Sequence, residues 1–219
     1  MLVGACAAPS ANGPAAASAA APQKGGKVTI AMWQSPASLN GFLFTGAPMD
    51  EVLAFTAEGL LQTLPDGTYG PSLAKETPTV GNGISADGKV VTYKLKEGVT
   101  WSDGTAFSCD DVVFTWKAVM TPGVGVVSTT GYADVQSVDC PNPTTAVVTY
   151  KNFFAPFLRL FDRVLPKSAG DPRDMKNWAY NRKPLGTGPF KVDEWVADDH
   201  VTLTRNEKFR DPAKPLLDC

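Results

Sequence analysis

The apolar positions of this chain fall into two rhythms. Val28, Ile30 and Met32 alternate with Thr29, Ala31 and Trp33, which predicts a strand over 27–33. A loop follows from Ser35 to Asn40. Pro48 to Leu61 then reads as a helix, with Met49, Val52, Leu53, Phe55 and Leu60 near one broad face. Three Asp-Gly pairs, at 66–67, 87–88 and 103–104, mark tight turns. Between the last two, Val91, Tyr93 and Leu95 alternate with Thr92, Lys94 and Lys96, predicting a strand over 89–96 with one wet face.

The clearest local signal lies at 107–121. Val112, Val113, Trp116, Val119 and Met120 keep helical spacing, and Pro122 ends the run. Ser108 can cap this helix, Asp111 stands three residues on where a capping box places its acid, and Phe107 and Val112 have staple spacing. The aromatic stripe here is read as core packing. A hairpin is expected over 134–150, turning at Cys140-Pro141-Asn142-Pro143. A short helix is expected near Phe154 to Phe161. A last hairpin over 188–205 turns at Asp198-Asp199. Strands and helices mix without regular βαβ alternation, so the fold class is α+β, a mixed α/β arrangement.

Composition narrows the function classes. Among 219 residues the formal net charge is -2, so no basic footprint points to nucleic acid. No apolar run approaches the roughly 18 residues of a membrane span. The 20 Gly and 18 Pro occur in turn-like groups. Val3-Gly4-Ala5-Cys6 resembles a bacterial lipobox, which makes Cys6 the expected lipidation site. Almost no apolar core precedes it, so Met1 is read as an internal or misassigned start. Ala7 to Ala21 is nearly all Ala, Pro, Ser, Gly and Asn, a composition suited to a tether.

The candidate chemistry is thin. Asp103-Gly104-Thr105 has the wrong order for an aspartic protease and is explained by a turn. Asp110-Asp111 sits in a helix's first turn, where the dipole favours negative charge. Asp198-Asp199 sits in a hairpin turn. A single histidine, His200, is too few for a His-based metal site. No nucleophile motif accompanies any serine. No catalytic residue, metal site or cofactor is expected. Of the 4 cysteines, Cys109 stands at a helix start and Cys140 at a hairpin turn. Outside the cytoplasm they can form a disulfide; two buried free thiols are the alternative.

Three blocks together resemble the peptide, dipeptide and nickel-binding receptors of ABC importers, the bacterial solute-binding protein family 5. The first is Gly25-Gly26-Lys27-Val28-Thr29-Ile30, with Ser38-Leu39-Asn40 after it. The second runs from Pro71-Ser72-Leu73-Ala74 through 87–99 and Trp101-Ser102-Asp103-Gly104-Thr105-Ala106-Phe107 to Phe114. The third is Gly186-Thr187-Gly188-Pro189-Phe190-Lys191-Val192, then Trp195 and Arg205-Asn206.

The resemblance implies a periplasmic-binding-protein type II clamshell, here as first lobe plus β-rich subdomain, with the second lobe expected past Cys219. Residues 1–24 would be lipobox remnant and tether. Residues 25–45 and 185–219 would belong to ligand-binding lobe I, and 46–184 to the subdomain. The loop after the first strand, with Trp33, Gln34, Ser35 and Ser38, looks like one cleft wall. Gly186 to Pro189 would serve a tight chain crossing, its glycines admitting backbone angles other residues resist.

The implied function is capture of oligopeptide-like solutes outside the membrane and delivery to an ABC permease, with no reaction and no cofactor. Relatives that take oligosaccharides or nickel complexes leave the solute open. A sensory lipoprotein is a further alternative. A hydrolase would need convergent catalytic groups that the sequence lacks. With one cleft wall, the isolated chain is expected to bind a solute weakly or not at all.

Overall fold

The computed structural model describes residues 23–219. In chain order its elements are α1 (Ala47–Thr56), β1 (Leu61–Thr63), β2 (Tyr69–Pro71), β3 (Thr79–Val80), β4 (Gly83–Ile84) and β5 (Val90–Lys94). There follow α2 (Cys109–Met120), β6 (Val135–Asn142), β7 (Thr145–Tyr150), β8 (Phe190–Val196) and β9 (His200–Arg205). Several 3-10 turns lie between β7 and β8, among them Ala155–Arg159 and Pro172–Asn177. Cys6 and the tether lie outside the described residues. No helix among those described is long and apolar enough to cross a membrane.

A five-stranded sheet of order β3-β4-β5-β7-β6 forms the centre. β5 alternates as its sequence predicts: Val91, Tyr93 and Leu95 are buried, and Lys94 is exposed. α2 packs on this sheet. Its start is built as the capping box requires: Asp110 N–H donates to Ser108 Oγ, and Ser108 N–H donates to Asp111 Oδ2 at 2.8 Å. The other Asp111 oxygen accepts from Lys167 N at 2.8 Å. One buried carboxylate therefore closes the helix and holds a distant segment. Thr115 adds a second tie, its Oγ1 accepting from Leu165 N at 2.8 Å.

Cys109 and Cys140 are joined by a disulfide between α2 and β6. The three Asp-Gly turns share one device. Asp66 and Asp103 each accept from the backbone two residues on, at Thr68 and Thr105, and Asp87 does so at Lys89. The glycine of each pair has a φ between +68 and +90.

A smaller core lies apart from the sheet. Leu39, Met49, Val52, Leu53 and Val192 form it, with Met32, Trp195, Val201 and Leu203 against its edge. α1 therefore shares a core with the β8–β9 hairpin, although a boundary at 46 would assign it to the sheet region. The Gly186-Thr187-Gly188 run passes the end of α1 so closely that a Cβ at Gly186 would collide with the Thr56 carbonyl oxygen. Gly188 N–H donates to that same oxygen at 3.0 Å, and Asn206 Nδ2 donates to Gly188 O at 2.8 Å. Neither glycine has a positive φ. Close approach, not unusual backbone angles, is what excludes a side chain there.

Four further expectations need correction. Residues 27–33 form no strand, and Val28 and Ile30 are 53% and 61% exposed. They meet the 216–219 segment through scattered bonds, such as Val28 N to Cys219 O and Gly25 N to Leu216 O, instead of a ladder. Alternation says which side chains would share a face, and not that a partner strand lies beside them. The helix expected over 48–61 ends at Thr56, because Leu60 and Leu61 turn into the larger core beside β1. Phe55, placed on its buried face, is partly exposed and meets Phe190 edge-on. The hairpin expected to turn at 140–143 instead keeps β6 through Asn142 and turns at 143–144, where Asn142 Oδ1 accepts from Thr144 N.

Candidate functional site

The Trp33–Ser38 loop leaves the extended N-terminal segment and enters the smaller core at Leu39. Trp33 is 79% exposed, a large apolar surface held in solvent. Gln34 is also exposed. Ser35 is half-buried, and its Oγ accepts from Asp198 N, in the β8–β9 turn, at 3.2 Å. Ser38 Oγ accepts from Asn40 N at 3.1 Å. Buried Asn40 then fixes the next stretch, its Oδ1 accepting from Phe42 N and its Nδ2 donating to Asn181 Oδ1 at 2.9 Å. The loop thus presents Trp33 and Gln34 outward while both serines anchor it.

Beside Ser38 opens a hollow of about 280 Å³. Its walls include Leu43, Phe44, Trp195, Lys176 and Arg182. The Arg182 guanidinium lies 4.6 Å from the centroid of the Trp195 ring, a cation–π contact. A larger hollow, about 580 Å³, lies between α1, β1 and the 158–162 segment, with Glu58, Arg159 and Asp162 in its lining. Glu58 is engaged by Arg210 through two bonds of 2.6 and 2.7 Å. That larger hollow touches none of the four predicted loop residues, so the smaller one is the better candidate despite its size.

The hairpin turn that holds Ser35 also carries His200. Its Nδ1 is 3.1 Å from Asp199 and its Nε2 3.5 Å from Glu194. The hydrogen bond to Asp199, then that to Glu194, holds the imidazole above its ordinary range. No cluster of three or more potential metal ligands exists among the described residues.

The structure places Trp33, Gln34, Ser35 and Ser38 on one short loop, and Ser38 alone of these lines the hollow. Cys109 and Cys140 belong with the larger core. Sequence reading singles out none of Lys176, Arg182 or Phe44, and Trp195 enters it only within the third family-like block. No periodicity marks them, since they converge only when the 3-10 turns fold against β8.

The sequence profile of bacterial extracellular solute-binding proteins, family 5 (middle), matches residues 68–219. The chain belongs to this family. A protein of Brucella ovis named as an ABC transporter peptide-binding protein is 33% identical over 141 residues, 62% of this chain and 26% of its own length. The oligopeptide-binding protein AppA of Bacillus subtilis is 27% identical over 95% of this chain and 39% of its own. Its structure with a nonapeptide superposes with a TM-score of 0.80, covering 90% of this chain and 40% of that one. NikZ of Campylobacter jejuni, solved with Ni(L-His), superposes at 0.71 with 28% identity, covering 80% of this chain and 34% of that one. The architecture is that of part of a type II periplasmic-binding protein. The chain spans about a quarter to two fifths of the length of these relatives.

Proposed function

We propose that this chain is part of an extracytoplasmic, lipid-anchored receptor that captures oligopeptide-like solutes and hands them to an ABC permease. The loop of Trp33, Gln34, Ser35 and Ser38 forms one wall of the binding cleft. Residues 25–45 and 185–219 belong to the ligand-binding lobe, and 46–184 to its subdomain, with α1 packed on the lobe. Cys6 carries the anchor. The receptor performs no reaction and holds no cofactor; it works by preferring its closed, solute-bound state.

The carrying observation is the exposed Trp33 on a loop braced from behind by Ser35 and Asp198. An exposed aromatic on an anchored support is a surface prepared for contact, because little ordering entropy remains to be lost on binding. Equilibrium dialysis of the product of the complete reading frame against a random pentapeptide library tests the reading. Retention of intact peptides at micromolar affinity supports it. Hydrolysis of the library, or no retention, overturns it.

A further inference from the structure

We infer that Asn82, between β3 and β4, is a site of spontaneous covalent modification: it deamidates onto Gly83 through a cyclic imide, yielding aspartate and isoaspartate. The inference is independent of the solute-binding reading. Such a reaction needs an asparagine side chain that can turn onto the next backbone nitrogen, and a following residue with no side chain in the way. The described residues hold two Asn-Gly pairs, 40–41 and 82–83. The fold separates them. Asn40 is fully buried, its Oδ1 accepting from Phe42 N and its Nδ2 donating to Asn181 Oδ1. Arg163 lies over Gly41, where a Cβ would come within 2.8 Å of the guanidinium. The Asn40 amide reaches Gly41 N only if this packing opens.

Asn82 stands in the opposite setting. It is exposed, and its side-chain amide has no hydrogen-bond partner among the described residues. Backbone bonds with Thr79 in both directions, of 2.8 and 2.9 Å, hold the residue at the sheet's β3 edge and leave the side chain free. The glycine after it is required there. Its φ is +92, and a Cβ would come within 2.8 Å of the Thr92 carbonyl oxygen. This corner therefore demands the neighbour that leaves an asparagine most open to attack. The Asp87-Gly88 turn nearby does not share the lability. Hydrogen bonds from Ser85 and then Lys89 hold the Asp87 carboxyl below its ordinary range, so it stays ionised and resists a nucleophile.

The chemistry needs only hydroxide and water. Hydroxide takes the Gly83 N–H proton, and that nitrogen attacks the side-chain carbonyl carbon of Asn82. A new C–N bond forms as the bond to the amide nitrogen breaks, and ammonia leaves. Water then opens the imide. Opening at the side-chain carbonyl gives aspartate. Opening at the backbone carbonyl leaves the chain running through the side-chain carbon, as isoaspartate. The inserted methylene displaces the backbone groups that Asn82 shares with Thr79, so the β3 edge loosens as the protein ages.

The test holds the complete-frame product folded at mildly alkaline pH and follows it by site-resolved peptide mapping, beside a sample unfolded in urea. In the folded protein Asn82 is expected to convert at least about tenfold faster than Asn40, the least protection that a buried, hydrogen-bonded segment should give. Isoaspartate should appear beside aspartate at position 82, and the rate should rise with pH. In urea the two pairs should react within about threefold of each other, because local opening no longer limits either. Asn82→Gln, whose longer side chain must close a larger ring, should remove conversion at 82 and leave the unfolding midpoint unchanged. Equal rates at the two positions in the folded protein would overturn the inference. So would an intact Asn82 in the folded sample while the unfolded one reacts. A difference that persists in urea would overturn it as well, since the fold would not be its cause.

Discussion

Ser35 and Asp198 are separated by 163 positions, yet the Asp198 N–H donates to Ser35 Oγ at 3.2 Å. That bond ties the loop after the first extended segment to the tip of the β8–β9 hairpin. Ser38, Arg182 and Trp195 line the hollow beside that loop. Removing the Ser35 hydroxyl should loosen the loop. Ser35→Ala is expected to cost about 1 kcal/mol or less in stability and to weaken peptide binding severalfold. Urea unfolding and library binding on the same sample would separate the two effects; unchanged binding would deny the bond a role in the site.

Asp111 caps α2 and also accepts from Lys167 N, so its loss strands two backbone donors. Asp111→Ala should lower unfolding free energy by about 2–4 kcal/mol. Asp111→Asn keeps one acceptor oxygen and should cost less. Equal unfolding midpoints for the two variants would contradict this account of the cap.

The Cys109–Cys140 disulfide spans a sequence separation of 31. Chain-entropy arguments give such a link about 3–4 kcal/mol. Reduction, or the double change Cys109→Ala with Cys140→Ala, should shift the denaturation midpoint accordingly. Coincident curves with and without reductant would show that the link contributes nothing.

Gly186 tests the chain crossing. Gly186→Ala places a methyl group against the Thr56 carbonyl and should cost more than about 3 kcal/mol or prevent folding. Gly67→Ala, at an open turn with φ +82, should cost only about 1 kcal/mol. A loss at Gly186 no larger than that at Gly67 would contradict close approach to the Thr56 carbonyl as the reason for glycine there.

His200 is the sole histidine, so its imidazole resonance can be followed without ambiguity. Its folded pKa lies above the unfolded value near 6.5. The charged contacts therefore stabilise the fold fully below that unfolded value, and their contribution is lost as pH rises through the folded one. An NMR titration should show a midpoint above 6.5 that falls in Asp199→Asn and Glu194→Gln, more in the former. A midpoint insensitive to both changes would contradict the assignment.

How far the sequence speaks differs by element. α2 was legible to its cap because Ser108, Asp111 and the Phe107–Val112 pair act within a few residues of one another. β5 and the Asp-Gly turns were legible for the same local reason. The extended segment at 27–33 was not, since whether alternation becomes a strand depends on what lies beside it. The end of α1 was misplaced because Leu60 and Leu61 answer to the larger core and not to helix periodicity. At the candidate site, the Trp33–Ser38 loop is proposed from the family resemblance. The hollow beside it is not, because Lys176, Arg182 and Trp195 meet only in the folded chain.

The most direct measurement is hydrogen–deuterium exchange of the complete-frame product with and without saturating peptide. If the loop is a cleft wall, exchange across 33–38 slows on binding by about tenfold or more, while the α2 core at 109–120 is unchanged. Saturable peptide binding with unaltered exchange at 33–38 would contradict the central claim.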